Sequence, residues 1–189
     1  MPVDPAQLVA GLLRLLDGVD LDHGDLDERL DQALSAAVEL FGVDGAGIML
    51  ATEEGTMRFI AASGPAGRAL EKAQESLNEG PGVECTRIRA VISIADLGAS
   101  GRWPDLMPLL RPHAVGGVLS APIWLRGQPA GNLNLFFHRA HEWSERDGEA
   151  ISAYAGVVTA FLRIALEARH QGRVVEGLQR SLAEVAAAD

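Results

Sequence analysis

Cysteine is almost absent from this sequence, and Cys85 carries the only thiol. One cysteine cannot form an internal disulfide, so the fold does not depend on an oxidising compartment. An apolar run long enough for a bilayer span is also missing, because the longest one, 151–166, is interrupted by Arg163 and is shorter than about 20 residues. The first residues place Asp4 and Pro5 where a signal peptide carries positive charge. These absences predict a cytoplasmic protein.

Positive charge is scarce as well. The chain has 16 Lys and Arg against 26 Asp and Glu, a net charge of -10, and Lys72 is its only lysine. Phosphate backbones and anionic membranes are bound through a surplus of basic residues, so neither is expected as a direct partner. The length of 189 residues and the 48% hydrophobic content suit one domain with a sizeable core and a helical extension.

Hydrophobic periodicity alternates between the helical and the strand pattern along the chain. Helices are predicted over 5–16, from about Asp25 to Phe41, over 66–77, and from Ser144 onward. Strands are predicted over 46–51, 56–62, 90–95, 115–125 and 129–138, with an irregular segment over 98–114 that contains one helical turn near 106–110.

This order of elements predicts an α+β fold with a mostly antiparallel central sheet of five to six strands. The terminal helices would pack on one face of the sheet. The 66–77 helix and the 98–113 loop would cover the other face, with a candidate ligand cavity beneath them. The domain limits are 1–24 for an N-terminal helix and acidic linker, 25–168 for the main domain, and 169–189 for a C-terminal helical extension.

The strand "GNLNLFF" indicates what the second face of the sheet does. Leu133, Leu135 and Phe137 point one way, and Asn132, Asn134 and Phe136 point the other. Asparagine is disfavoured in mid-strand, and buried amides must be hydrogen-bonded. Two interpretations remain open: the amides bond to the backbone of the covering loop, or they face a ligand cavity.

Several motifs, in order, resemble the pattern of GAF domains. They are Gly80-Pro81, Asp96-Leu97, Arg102-Trp103-Pro104, and the strand pair "VGGVLSAPIWLRGQPAGNLNLFF". The resemblance covers about 25–168 and is closest to actinobacterial GAF domains of GAF-ANTAR regulatory proteins. It implies a sensory module with a loop-side ligand cavity that dimerises through its terminal helices. The segment 175–182 resembles the lead into ANTAR helices, which bind RNA in antitermination, so an output domain or partner protein is expected in addition to this chain.

The resemblance and the strand pattern together give a set of candidate ligand-pocket residues. Trp103 and the apolar residues after it are the best candidates for a lid, although the same residues would also seal the sheet face as a second core. The full set comprises Phe59, Val83, Cys85, Asp96, Trp103, Leu106, Met107, Leu110, Asn132, Asn134 and Phe136. The sequence requires no cofactor and leaves the ligand unnamed.

Cys85 invites a catalytic hypothesis that its neighbours do not favour. Bilin-attaching cysteines in phytochrome relatives usually have a histidine beside them, whereas Cys85 lies between Glu84 and Thr86. GAF-type free methionine sulfoxide reductases use more than one cysteine, and Glu84 opposes thiolate formation. Where the GAF-ANTAR subgroup often has Gly-Pro-Cys, this chain has Gly82. Cys85 is therefore predicted to be a small buried side chain, and no catalytic residue is assigned.

Metal sites are not predicted either. In the acidic linker, Gly24 and Asp25 occupy the fifth and sixth positions of what would be a calcium loop, where an oxygen ligand and glycine are required. His138 and His141 have no third ligand at motif spacing, and His113 is expected to be an ordinary loop histidine.

The terminal helices carry more apolar surface than the sheet needs. The candidates for a dimer interface are Leu8, Leu12, Leu15, Phe161, Leu178 and Leu182. The sequence thus predicts a non-catalytic sensor that binds a small molecule or relays a signal as a homodimer, in transcriptional antitermination. The alternatives are a free methionine sulfoxide reductase and a GAF scaffold that dimerises without a ligand.

Overall fold

A computed structural model describes residues 25–163 of the chain. Its helices are α1 (Asp25–Phe41), α2 (Gly64–Leu77), α3 (Pro81–Ile88), α4 (Leu97–Ser100), α5 (Leu106–Leu110) and α6 (145–163), with a 3-10 turn at Arg111–His113. Its strands are β1 (Gly45–Ala51), β2 (Met57–Ala62), β3 (Ile92–Ile94), β4 (Val118–Leu125) and β5 (Gln128–Phe136). The predicted α+β fold is confirmed.

The five strands form one antiparallel sheet in the order β2-β1-β5-β4-β3. The β4–β5 connection is a two-residue turn in which Arg126 and Gly127 both have positive φ, 52° and 76°. That geometry is favoured in tight hairpins because it matches the twist of the flanking strands. Pro122 lies in β4 beyond Ser120, where the pairing with β3 ends, so its missing N–H removes no ladder bond on that side.

One face of the sheet is covered by α1 and α6. Alternating strand residues, among them Ile48, Leu133 and Leu135, pack with both helices into the first hydrophobic core. The Tyr154 hydroxyl of α6 donates a hydrogen bond of 2.7 Å to the Ala33 carbonyl of α1 and so joins the two helices. The start of α6 is fixed by Ser144, whose backbone N–H and hydroxyl both donate to Asp147 Oδ2 at 2.7 Å.

The opposite face of the sheet is covered by α2, α3 and α5. Helix α3 is not among the predicted helices, since no element is predicted between the 66–77 helix and the strand at 90–95. Pro81 stands in the first turn of α3 after Gly80, which has a φ of 132°. Proline is favoured there because it lacks the N–H that a helix start leaves unpaired. The cover over this face is therefore more helical than predicted.

Among residues 25–163, no helix is long and apolar enough to cross a membrane. The predicted helix at 5–16, the acidic linker and the extension at 169–189 lie outside the described residues. The same holds for Leu8, Leu12, Leu15, Leu178 and Leu182.

Candidate functional site: a buried polar network

A gap in the sheet surface lies where three neighbouring strands meet α2. Gly47 of β1 pairs with Asn134 of β5, which in turn pairs with Ser120 of β4. Gly47 has no side chain, and a Cβ built on it would lie only 2.2 Å from Glu71 Oε1. The glycine thus leaves the space that the Glu71 side chain of α2 fills.

Glu71 is held against the sheet by α2. The buried residues of this helix, Gly67, Leu70, Glu71 and Gln74 among them, are three and four apart and form one face. The Asn134 side-chain amide donates to Glu71 Oε1 and Oε2 at 2.9 and 2.8 Å, and Gln74 Nε2 donates to Oε2 at 3.1 Å. Glu71 has no exposed surface and forms no salt bridge with the residues the structure describes. It is a buried carboxyl held by amides alone.

Asn132 and Thr86 extend these contacts to α3. Asn132 Nδ2 donates to the Gly82 carbonyl at 2.9 Å and to Thr86 Oγ1 at 3.1 Å. The Thr86 hydroxyl lies 3.0 Å from the Gly82 carbonyl and 3.1 Å from the Gly131 carbonyl. The Gly82 N–H donates to Gln74 Oε1 at 2.8 Å, so α2, α3 and β5 are bonded to one another.

Ser120 and the two asparagines complete the set. The Ser120 hydroxyl donates to Asn134 Oδ1 at 2.6 Å, and Asn134 Nδ2 lies 2.9 Å from Asn132 Oδ1. Throughout residues 25–163 no buried side-chain nitrogen or oxygen lacks a hydrogen-bond partner. We call this set the polar network; its members are Glu71, Gln74, Thr86, Ser120, Asn132 and Asn134.

Burial changes the acidity of the one carboxyl in the network. The loss of water around Glu71 raises its pKa from 4.5 to about 8, and the hydrogen bonds from Asn134 and Gln74 offset only part of that rise. The network therefore contains a proton that is gained and lost near neutral pH.

An apolar core surrounds the network. Cys85, Trp103, Leu106, Leu110 and Phe136 all belong to it, and Met107 packs against it. Together with Asn132 and Asn134, most of the sequence-predicted pocket residues therefore lie in one layer. In this structure the apolar members pack as a core over the sheet face, and the two amides bond mainly to other side chains and to α3.

Three other candidates lie at the edge of the layer or beyond it. Asp96 caps α4, where its Oδ1 accepts from the backbone N–H groups of Gly98 and Ala99 at 2.9 and 3.2 Å. Its role here is a helix cap, which explains the Asp-Leu motif without a ligand. Phe59 on β2 is half-buried below the Arg68 guanidinium, and Val83 is half-buried on α3.

The Cys85 side chain is fully buried, and burial raises its pKa to about 12. A thiol with that pKa is not a nucleophile at neutral pH. Of the histidines, His138 Nδ1 lies 2.9 Å from the Ala114 carbonyl, and His141 stacks on Phe137 with ring centroids 4.1 Å apart. Within the described part of the chain, no three His, Cys, Asp or Glu side chains are grouped so that they could hold a metal ion.

Glu71, Gln74 and Thr86 were not singled out from the sequence. The signal for the first two is their spacing, because both fall on the face of the 66–77 helix that also carries Leu70. Thr86 was missed because α3 was not recognised as a helix.

Phe161, a predicted dimer-interface residue, lies in the first hydrophobic core and is only 9% exposed. Its side chain packs against other residues of the same chain, so little of its surface is available for contact with a partner.

An antiparallel sheet with two helices on one face and a helical cover on the other is the arrangement found in GAF domains. The GAF domain family model matches residues 23–163, and the chain belongs to this family. No curated protein gives a significant match to it.

Solved structures with the same fold come from proteins of different activities. One is a domain assigned to a two-component sensor histidine kinase of Sinorhizobium meliloti 1021, with 20% identity, a TM-score of 0.61, and coverage of 77% of this chain and 97% of that one. Another is the GAF domain of an Acinetobacter phosphoenolpyruvate-protein phosphotransferase, with 15% identity, a TM-score of 0.64, and coverage of 90% and 99%.

A third is the free methionine-R-sulfoxide reductase of Neisseria meningitidis in complex with its substrate, with 15% identity, a TM-score of 0.65, and coverage of 85% and 89%. At these identities the likeness is one of fold alone. GAF domains are typically sensory or regulatory, and the family does not by itself define a ligand.

Proposed function

We propose that this chain is a non-catalytic sensory module that binds a polar small molecule between the sheet and helices α2 and α3. The observation that supports this most strongly is the polar network, which places six hydrogen-bonding side chains inside an otherwise apolar layer. A domain that needed only a packed core would be served as well by apolar residues of similar volume.

The network is suited to exchanging partners. Each of its groups is bonded to another member or to backbone, so its burial is compensated in this structure. A ligand with its own donors and acceptors can replace these bonds one for one. An apolar ligand would leave the amides unpartnered, at about 1–3 kcal/mol for each buried group. The site therefore favours polar ligands over apolar ones.

A ligand bound there would act on the contacts between α2, α3 and the sheet, because Gln74, Gly82 and Asn132 join all three. Signalling requires that the ligand bind two arrangements of these helices with different affinity. We further propose a homodimer formed through the terminal helices as the unit that transmits the change.

The proposal of an antitermination output rests on the resemblance of residues 175–182 to the segment that leads into ANTAR helices. The reading frame of the gene beyond Asp189 tests that part, since a following segment without ANTAR character would remove its basis.

Native mass spectrometry of freshly purified protein tests the binding proposal. We expect a retained small molecule, or one found by screening metabolites for a rise in melting temperature. Ser120→Ala should weaken its binding because it removes one hydroxyl from the network with little change in volume. Ser35→Ala, an exposed position on α1 whose hydroxyl bonds only to the Asp31 carbonyl of the same helix, is the matched control and should bind as the native chain does. Equal binding by both variants would place the ligand elsewhere.

The structural likeness to a free methionine-R-sulfoxide reductase keeps an enzyme as the second candidate. Turnover of free methionine-R-sulfoxide by the native chain, lost in Cys85→Ser, would replace the sensor proposal. We expect no turnover by either protein, because the only thiol is buried and has no second cysteine to resolve it.

A further inference from the structure

A surface pocket lies on the outer side of α2, facing away from the polar network. It has a volume of about 520 Å³ and is lined by Gly64, Pro65, Arg68, Ala69, Lys72 and His113. The α2 residues are spaced by four along the helix, in the rows 64, 68, 72 and 65, 69, so they form one stripe. Gly64, Pro65 and Ala69 are small and so create the depression, which the long side chains of Arg68 and Lys72 border.

The charge of this pocket contrasts with the rest of the chain. The protein has a net charge of -10 and a single lysine, yet that lysine lies four residues from Arg68 on the same helix face. Like charges at this spacing destabilise a helix. His113, from the 3-10 turn, also lines the pocket, and its imidazole carries an N–H in either tautomer. Two cationic side chains of one helix and an imidazole therefore line the same pocket, and the pair of cations comes at a cost to the isolated helix.

Among the residues that the structure describes, no Asp or Glu forms a salt bridge with Arg68 or Lys72. On α2, Glu71 points into the network, and Glu75 is paired with Arg58 at 3.1 Å. The first turn of α2 carries no acidic residue, and its N-cap residue Ser63 bonds to Ala46 of β1 instead of capping the helix. The positive end of the α2 dipole thus adds to the side-chain charge.

We infer that this pocket binds a small molecule that carries a phosphate group. A guanidinium donates two parallel hydrogen bonds to phosphate oxygens, and an ammonium binds phosphate as a point charge. The pocket is open to solvent, and its volume of about 520 Å³ exceeds that of phosphate alone, so an organic group can lie beside the phosphate. The Phe59 ring, which lies 5.5 Å from the Arg68 guanidinium, holds that side chain at the rim.

The pocket and the polar network lie on opposite sides of α2, so the inference does not depend on the proposed function. Its test uses inorganic pyrophosphate as the probe. Titration of the full chain, followed by NMR of the backbone amides, should show saturable shifts at the start of α2 and at His113. The double variant Arg68→Gln with Lys72→Gln should bind at least about tenfold more weakly, since each lost charge-assisted bond is worth about that factor.

A matched control removes two positive charges elsewhere. Arg87 and Arg139 are exposed and do not line the pocket, so Arg87→Gln with Arg139→Gln should leave the affinity within about twofold. Equal weakening in the two double variants, or shifts spread over all basic residues, would overturn the inference. So would the absence of saturable binding. Ser120→Ala should bind pyrophosphate normally, which separates this result from that of the network.

Discussion

Glu71 combines full burial with the absence of a cationic partner in the described structure, and its consequences are measurable by titration. Its pKa rises from 4.5 to about 8 on folding, so between these values the folded chain holds a proton that the unfolded chain has released. The free energy of unfolding therefore falls as pH rises through this window, and the contribution of Glu71 is constant below pH 4.5 and above pH 8.

Glu71→Gln should remove this dependence. In urea unfolding between pH 5 and 8, we expect the native chain to lose up to about 1.4 kcal/mol per pH unit relative to the variant. Glu75→Gln, one turn along the same helix and paired with Arg58, should keep the native slope. Parallel pH profiles for the native chain and Glu71→Gln would contradict the protonation assigned to Glu71.

Gly47 is the residue that makes room for Glu71. Gly47→Ala should be destabilising by about 1–3 kcal/mol, because the added Cβ would lie 2.2 Å from Oε1 and 2.6 Å from Cγ of Glu71. In a Glu71→Ala background the same change should be much milder. A coupling of at least about 1 kcal/mol in this double-mutant cycle is expected from chemical denaturation. Additive effects would show that the clash is relieved by other movements.

The covering segment that contains α4 and α5 is held in place by one large aromatic side chain, that of Trp103. Trp103 is 7% exposed and lies in the core below α5, whereas Trp124 on β4 is 38% exposed. Trp103→Ala should lower the free energy of unfolding by about 3–5 kcal/mol, and Trp124→Ala by less than about 1.5 kcal/mol. Urea unfolding followed by circular dichroism compares the two; similar losses would contradict the packed cover.

Most elements could be predicted from periodicity. Helix α1 and the long strands have regular apolar spacing, and the alternation in β5 correctly separated Leu133 and Leu135 from Asn132 and Asn134. Helix α3 could not be predicted in this way. It is short, its sequence "PGVECTRI" has little apolar periodicity, and its stability comes from contacts with β4 and β5 that are distant in sequence.

The network illustrates the same limit for the site. The asparagines of β5 were recognised because amides in mid-strand are unusual. Glu71 was not, because glutamate on a helix is ordinarily a solvent-facing residue, and only the cross-strand row of Gly47, Asn134 and Ser120 shows the space that receives it. A space formed by three strands and a helix is a tertiary property, and no local pattern encodes it.

For the whole molecule, the two sides of the sheet have different chemistry. The face below α1 and α6 has an apolar core, while the opposite face contains both the apolar core around Trp103 and the polar network. Helix α2 separates the network from the cationic pocket on its outer side. The molecule thus has one face specialised for holding the fold and another that carries both proposed binding sites.

The two-residue turn at Arg126 and Gly127 also bears on how quickly the chain folds. The turn joins neighbouring strands, so β4 and β5 can pair without closing a long loop, whereas β1 must meet β5 across most of the domain, with Gly45 opposite Phe136. Closing long loops slows folding. Ala substitution at Gly127, which has a φ of 76°, should slow refolding as well as lower stability if this hairpin forms in the transition state. Stopped-flow refolding measures this, and a change confined to the unfolding rate would place hairpin formation after the barrier.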